Sequence, residues 1–129
     1  MNLETPNITV QKTSEDLYNF LTDFENFEKI MPDNTETFEL RENGFVFGLK
    51  GMPKIKLQLN EKIPYSTIVL GSASDKFPFT LTANIADNEN KSVVNFKFVG
   101  KFNPMITMMV KKPLQKFIDT LSANLEKLT

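Results

Sequence analysis

The stretch that decides the fold is residues 103–128, NPMITMMVKKPLQKFIDTLSANLEKL. It opens on Asn103 and Pro104, an N-cap residue followed by the proline that suits the first turn of a helix. Apolar residues then recur at helical spacing, at Met105, Met108, Met109, Leu114, Phe117, Ile118, Leu121, Leu125 and Leu128. A helix over this stretch would be about 39 Å long at 1.5 Å per residue. Its apolar stripe needs a cover, and we predict that the strands before it supply one.

The helix carries a proline and a run of methionines that bear on its shape and its surroundings. Pro113 lies inside the periodic pattern, so we predict a kink there or a split of the helix after Lys112. Met105, Met108 and Met109 fit either a deformable entrance to a cavity or plain filling of the core. The sequence alone leaves these two interpretations of the methionines open.

The dipeptide Asn43-Gly44 is the clearest local signal of a turn. It suits a two-residue type I′ hairpin and lies between two alternating runs of apolar and polar residues. With this turn, Leu40 would pair with Phe47 and Phe38 would pair with Leu49. The register set by the turn therefore gathers the large apolar side chains on one face of the hairpin.

The other segments indicate a first strand, two short helices and further strands. Residues 3–13 alternate apolar and polar side chains, which indicates a strand bent at Pro6. One helix begins after Thr13, and a second short helix is stopped by Pro32. Further strands are predicted over residues 54–60, 67–73, 77–85 and 94–98, with a turn at 74–76. Short turns between consecutive strands indicate an antiparallel meander, so we predict the α+β class and one domain over residues 1–129.

The composition excludes several classes of chemistry. The chain has no Cys, which removes disulfides, a thiolate nucleophile and cysteine zinc sites. It has no His, so the commonest general base and the commonest transition-metal ligand are both absent. A net charge of −1 gives no electrostatic reason to bind nucleic acid. We therefore expect no metal, no cofactor and no nucleic-acid partner.

The distribution of apolar residues indicates a packed core rather than a membrane span. Hydrophobic residues make up 40% of the chain and include twelve Phe, which is enough for a bulky aromatic core. No apolar run approaches the ~20 residues that a spanning helix needs. The first five residues have neither the basic nor the hydrophobic region of a signal peptide. We expect a cytoplasmic protein without an integral membrane segment.

Three segments together carry a resemblance to a known superfamily. Residues 14–32, SEDLYNFLTDFENFEKIMP, look like a first helix followed by a short helix closed by proline. Residues 60–65, NEKIPY, look like a strand that ends in an acidic-x-x-proline segment, and the long helix completes the pattern. This order resembles the START-like (SRPBCC) superfamily, the helix-grip fold shared by Bet v 1, the polyketide cyclase/dehydrase group and lipid-transport proteins. The resemblance implies a curved antiparallel sheet of about seven strands that grips the C-terminal helix, with an apolar cavity between them.

The cavity implied by this resemblance has a defined set of candidate lining residues. Alternation along the strands and the spacing of the helix stripe select the side chains that would face one another. They are Phe38, Phe47, Leu57, Phe79, Leu81, Phe96, Phe98, Met105, Met108, Met109, Phe117 and Leu121. We predict that the cavity opens near the start of the helix, where three Met replace the more shape-persistent Leu.

Few residues suggest chemistry inside such a cavity, and each has a simpler explanation. Glu61 is a weak candidate for a general acid, because it shares the parity of the inward residues of its strand. The explanation we favour is that Glu61 lies in water at the strand's end. Tyr18 and Tyr65 could each offer a hydroxyl to a ligand. More simply, each could bury its ring and leave only the hydroxyl in contact with water. Lys54, Lys56 and Lys62 could attract an anion, but a solvated sheet face explains them more simply.

The resemblance implies a cavity that relatives use for lipids, steroids, hormones or polyketides, and we expect a protein that binds or transports a small hydrophobic molecule without catalysing a reaction. Two alternatives stay open. One is an enzyme of the polyketide cyclase or dehydratase type, which an inward cluster of ionisable groups would favour. The other is a protein-assisting module with a vestigial cavity and a protein partner, which a closed, Phe-filled interior and an exposed apolar patch would favour.

Overall fold

The computed structural model describes residues 1–72 and 78–128, which form one antiparallel sheet, two α-helices and a 3₁₀ helix. The strands are β1 (Asn2–Glu4), β2 (Ile8–Val10), β3 (Thr35–Arg41), β4 (Gly44–Leu49), β5 (Ile55–Ile63), β6 (Thr67–Ser72), β7 (Phe79–Asn88) and β8 (Lys91–Gly100). The helices are α1 (Ser14–Thr22), the 3₁₀ helix (Phe24–Ile30) and α2 (Pro104–Leu128). The predicted α+β class and helix-grip arrangement are confirmed. The predicted turn at 74–76 and the strand start at Phe77 lie outside the described residues.

The sheet has the strand order β1-β8-β7-β6-β5-β4-β3, and β2 pairs with β8 next to β1. The first predicted strand is therefore two short strands, so the described residues contain eight strands instead of about seven. Pro6 separates β1 from β2, and between these strands Thr5 maintains the pairing with β8. The Phe96 N–H donates to Thr5 Oγ1 at 2.8 Å, and the Thr5 N–H donates to the Phe96 carbonyl at 2.9 Å. The Phe96 amide therefore keeps a hydrogen-bond partner although the chain bends away at this point.

The turn between β3 and β4 lies one residue earlier than predicted. Its two central residues are Glu42 and Asn43, and Arg41 pairs with Gly44 at the ends of the strands. Asn43 takes the left-handed conformation with φ of 62°. Gly44 belongs to β4, where a Cβ would collide with the Leu57 carbonyl of β5. The glycine is therefore required by the close approach of two strands and not by the turn.

The shifted turn changes the pairing of the hairpin but not the face on which its side chains lie. Phe38 pairs with Phe47 instead of Leu49, and Leu40 pairs with Phe45 instead of Phe47. Moving a turn by one residue moves the pairing by two, and side chains alternate with a period of two. Phe47 and Leu49 are consequently buried and Phe38 half-buried on the predicted face, but Leu40 is exposed and the predicted pairs are wrong.

A β-bulge in β5 reverses the predicted orientation of Glu61. Leu59 pairs with Leu70 and Glu61 pairs with Val69, so Asn60 is an extra residue in the ladder. The extra residue inverts the alternation that follows it. Glu61 is exposed, as the favoured explanation has it, so the inward orientation that its parity suggested and its candidacy as a general acid are wrong.

The long helix begins as predicted and continues further than its proline suggested. The Asn103 Oδ1 accepts a hydrogen bond from the Ile106 N–H at 2.9 Å, which is the expected N-cap contact. The helix runs unbroken through Pro113, so the predicted split after Lys112 does not occur. The carbonyl that loses its helical donor at this proline belongs to Met109, an exposed residue, and water can satisfy it.

The buried face of α2 differs from the predicted stripe at its N-terminal end. The buried residues are Val110, Leu114, Phe117, Ile118, Leu121, Ser122 and Leu125. From the buried Leu114, steps of four residues towards the N-terminus lead to Val110 and then to Ile106, which is half-buried. Met105, Met108 and Met109 lie on the opposite face and are exposed. The prediction that these methionines face the sheet and line the cavity is therefore wrong.

Aromatic rings fill the space between the sheet and the helices. Phe45 has no exposed surface and stacks on Phe27 and Phe38, with ring centroids 5.0 and 5.2 Å apart. Phe47 stacks on Phe117 of α2 at 4.9 Å with the ring planes 9° apart. Each such pair contributes about 0.5–1.5 kcal/mol beyond the area that it buries. These contacts join β4 to both the 3₁₀ helix and α2.

We predict that Gly44→Ala lowers the free energy of unfolding by about 2–3 kcal/mol, because the methyl group collides with the Leu57 carbonyl. Gly48 is the matched control, since it is buried in the same strand. The nearest atoms to an added Cβ there are 3.6 Å away. Gly48→Ala should stay within about 1 kcal/mol of the wild type. Equal urea midpoints for the two variants would contradict the placement of Gly44 against β5.

Candidate functional site

The centre of the predicted cavity is closed. The space left there is about 10 Å³, which is at most the room that one water molecule needs. It is bordered by Leu21, Phe27, Ile68, Leu70, Leu81, Ala83 and Phe96. Of the predicted lining residues, Leu81 and Phe96 therefore meet in a packed core and not around a ligand-sized space.

Two cavities lie beside the N-terminal half of α2 instead. The lysine-edged cavity has a volume of about 340 Å³ and is lined by Pro32, Asn34, Leu49, Lys50, Gly51, Met52, Lys112, Pro113, Lys116, Phe117 and Thr120. The aromatic cavity has about 130 Å³ and is lined by Met52, Pro53, Lys54, Ile55, Lys56, Ser72, Phe79, Phe98, Phe102 and Leu114. Met52, on the connection from β4 to β5, lines both.

The connection that carries Met52 has a hydrogen-bonded backbone. The Met52 N–H donates to the Leu49 carbonyl at 3.0 Å, and the Lys50 N–H donates to the Asn34 carbonyl at 2.9 Å. Gly51 between them has a φ of 84°, a conformation that suits glycine. The Met52 side chain is half-buried against the core. Because a thioether chain is flexible and polarizable, this side chain can adapt to the shape of a ligand.

The aromatic cavity has a wall of phenylalanine rings. Phe79 and Phe98 stack with centroids 4.8 Å apart, and Phe98 lies 6.4 Å from Phe102. Leu114 of α2 closes the opposite side. This wall is apolar, so any molecule held there is held mainly by removal of its own apolar surface from water.

Lysine side chains edge both cavities. Lys50, Lys112 and Lys116 are exposed at the lysine-edged cavity, and in the described part of the chain none of them forms an ion pair. Lys54 and Lys56 line the aromatic cavity. The described lining residues of the two cavities include no Asp or Glu. The described lining of both cavities is therefore basic, while Asp33 and Asp119 lie with Lys112 and Lys116 in an adjoining groove.

The sequence itself separates basic from acidic residues around these cavities. Residues 43–60 contain three Lys and no acid, and residues 90–118 contain six Lys and no acid. The fold brings these two segments together at Met52 and Leu114. Charge of one sign beside a low-dielectric opening raises the local concentration of oppositely charged solutes.

Some of the predicted lining residues line one of the two cavities, while others are packed in the core. Phe79 and Phe98 line the aromatic cavity and Phe117 lines the lysine-edged cavity. Three other predicted lining residues border neither cavity. They are packed in the core with at most 1% of their surface exposed: Phe47, Leu57 and Leu121. Phe38 is half-buried at the edge of the sheet, where it stacks on Phe45.

Sequence reasoning missed the residues that lie on the loop and on the outer edge of α2. Met52, Lys112, Pro113 and Lys116 were not among the predicted lining residues. Two signals in the sequence point to them: an apolar Met between Gly51 and a proline in a connection, and the two long segments without acids. Neither signal depends on the hydrophobic periodicity from which the cavity was predicted.

The tyrosines lie away from both cavities. The Tyr65 hydroxyl donates to Glu15 Oε1 at 3.4 Å, and its ring meets Tyr18 edge to face at 5.4 Å. The negative charge of Glu15 raises the pKa of Tyr65 above its usual value. Tyr65 precedes the first residue of β6, whereas Ser72 at the other end of that strand lines the aromatic cavity. Tyr18 is buried in the core and Tyr65 is exposed, and neither residue lines a candidate cavity.

The described residues contain no group of three or more His, Cys, Asp or Glu side chains placed to hold a metal ion. Their helices also include none with the length and apolar character required to cross a bilayer.

Comparison with known proteins gives structural relatives but no sequence family. Neither a protein-family model nor a curated protein matches the chain. The solution structure of the KanY protein has a TM-score of 0.80 at 13% identity, over 98% of this chain and 95% of that one. A point mutant of Thalictrum flavum norcoclaurine synthase, in complex with a transition-state analogue, has a TM-score of 0.74 at 9% identity, over 99% and 92%. The Thermus thermophilus protein TTHA0849 has a TM-score of 0.72 at 15% identity, over 98% and 95%.

At these identities the likeness establishes the fold alone. The chain shares the fold of these structures, with a helix-grip arrangement of its sheet and α2.

Proposed function

We propose that this chain binds a small hydrophobic molecule that carries one negative charge, and that it holds or transports this molecule unchanged. The apolar part would lie against Met52 and Phe117, and the charged end among Lys50, Lys112 and Lys116. The observation that supports this most is an apolar cavity edged by lysines, with no carboxylate among its described lining residues. We further propose that the chain is one START-like domain that acts in the cytoplasm.

The dimensions of the site favour a small ligand. The lysine-edged cavity of about 340 Å³ lies at the lower end of the range of about 300–1,000 Å³ that is usual for ligand pockets. Burial of apolar surface contributes about 25 cal/mol per Å² before the costs of association. Each exposed lysine adds about 0.2–1 kcal/mol for an anionic group, and salt screens that term. We therefore expect moderate affinity, with selection for negative charge and weak selection for shape.

A protein-assisting module is the second candidate, because two observations favour it. The centre of the fold is filled by phenylalanine, and Met105, Met108 and Met109 form an exposed apolar patch. The cyclase alternative has no comparable support, since the described lining residues supply no carboxylate to pair with a base.

We expect the folded wild type to bind cis-parinarate, a fluorescent fatty acid, and to release it when a non-fluorescent fatty acid is added. Met52→Trp should weaken this binding by about tenfold or more, because the indole takes up space in both cavities. Met108→Trp makes the same change at an exposed position outside both cavities and should bind like the wild type. Urea unfolding of both variants checks that they are folded.

Unchanged binding by folded Met52→Trp would contradict the placement of the ligand. If the folded wild type binds no fatty acid or other apolar probe, the carrier proposal is wrong and the module becomes the better account.

The charge preference has a separate test in the triple variant Lys50→Gln, Lys112→Gln and Lys116→Gln. We expect it to bind cis-parinarate roughly tenfold more weakly, because three favourable charges are lost. Binding of the uncharged methyl ester should not change. The control removes three lysines that line neither cavity, Lys29, Lys62 and Lys91, so the change in net charge is matched. An equal loss for acid and ester, or an equal loss in the control, would refute the assignment.

A further inference from the structure

The first turns of α2 expose a methionine patch, which we define as Met105, Met108 and Met109. These side chains are 73%, 83% and 70% exposed. They are adjacent on the helix surface, because residues three and four apart share a face. Single exposed apolar side chains are ordinary on a protein surface, but a contiguous group of long, flexible ones marks a contact surface.

Lysines follow the methionine patch along the same outward face of the helix. Lys112 and Lys116 continue the four-residue row that begins at Met108, and both are exposed. One helical turn, about 5.4 Å, separates Met108 from Lys112. Lys101 and Lys111 are also exposed beside the patch. The helix therefore presents an apolar tip with positive charges placed about one turn behind it.

Carboxylates are absent from this part of the sequence. Between Glu89 and Asp119 the chain contains no acidic residue and six lysines. The patch and its border therefore complement an apolar surface that carries negative charge. They do not resemble the mixed charges of an ordinary solvated helix face.

We propose that the methionine patch docks the protein on an anionic lipid bilayer. Three long side chains at a helix end protrude, and a bilayer accepts protruding apolar groups without offering a matching pocket. Lysines one turn behind an inserted tip lie at the depth of the lipid phosphates, where their charge is favourable. Basic and apolar side chains combined in this way are typical of segments that lie in a membrane interface.

The docking surface lies next to the opening of the candidate site. Lys112, Pro113 and Lys116 follow the patch along α2 and line the lysine-edged cavity. Docking would therefore bring that cavity to the bilayer, the source and destination of a hydrophobic molecule. This consequence rests on the proposed function, whereas docking itself does not.

The test is co-sedimentation with vesicles made of phosphatidylcholine alone or of an equal mixture of phosphatidylcholine and phosphatidylglycerol. We expect the wild type to bind the mixed vesicles and to be released by high salt. The triple variant Met105→Ser, Met108→Ser and Met109→Ser should bind them about tenfold more weakly. The control variant replaces three side chains that are about half exposed elsewhere, Leu40, Ile63 and Leu128, by Ser and should bind like the wild type.

Two outcomes would overturn the docking proposal. One is equal sedimentation of the methionine variant and the wild type with mixed vesicles, or no sedimentation of the wild type. The other is a wild-type dimer in analytical ultracentrifugation that the methionine variant abolishes, which would show that a second copy covers the patch. The methionine variant should still bind cis-parinarate in solution, because the patch lines neither cavity. Failure of docking and failure of ligand binding are therefore separate results.

Discussion

The stacking of Phe47 on Phe117 is the contact on which the rest of the structure depends. It joins β4, the second strand from one edge of the sheet, to the middle of α2, with centroids 4.9 Å apart. The C-terminal half of the helix is held close as well, because Asn124 Nδ2 donates to the Ile30 carbonyl at 2.9 Å and to the Met31 carbonyl at 3.3 Å. Val110 and Leu114 are buried as well, so α2 packs against the rest of the fold along most of its length and leaves space only beside it.

That constraint determines where function can lie. The two candidate cavities are found beside residues 112–120 of α2, and Met52 lines both of them. The same end bears the exposed Lys112 and Lys116 and the methionine patch. An apolar cavity, a positive edge and an apolar tip therefore share one end of the molecule. This coincidence supports a protein that exchanges an anionic amphiphile with a membrane, whereas packing alone accounts for the filled centre.

The sequence predicted the features that depend on local patterns and failed where tertiary packing decided. The cap at Asn103 and the inward positions of Phe47 and Leu49 in the β3–β4 hairpin follow from residue type and alternation, and both predictions are confirmed. The turn shifted because Gly44 is needed against β5, a contact between residues far apart in the chain. Glu61 turned outward because of a bulge, which alternation in a single strand cannot reveal. Met52 was missed because periodic patterns say nothing about a connection between strands.

The most direct test of the account uses ¹³C-methyl NMR of the protein labelled at Met and Ile, with a saturated fatty acid added. The central claim is that a ligand lies at Met52 and leaves the packed centre undisturbed. We predict that the Met52 methyl signal shifts most, and that the signal of Ile68, which borders the closed centre, does not move. Saturable shifts at Ile68 with an unchanged Met52 signal would contradict the claim, since the ligand would then occupy the centre that aromatic packing is said to close.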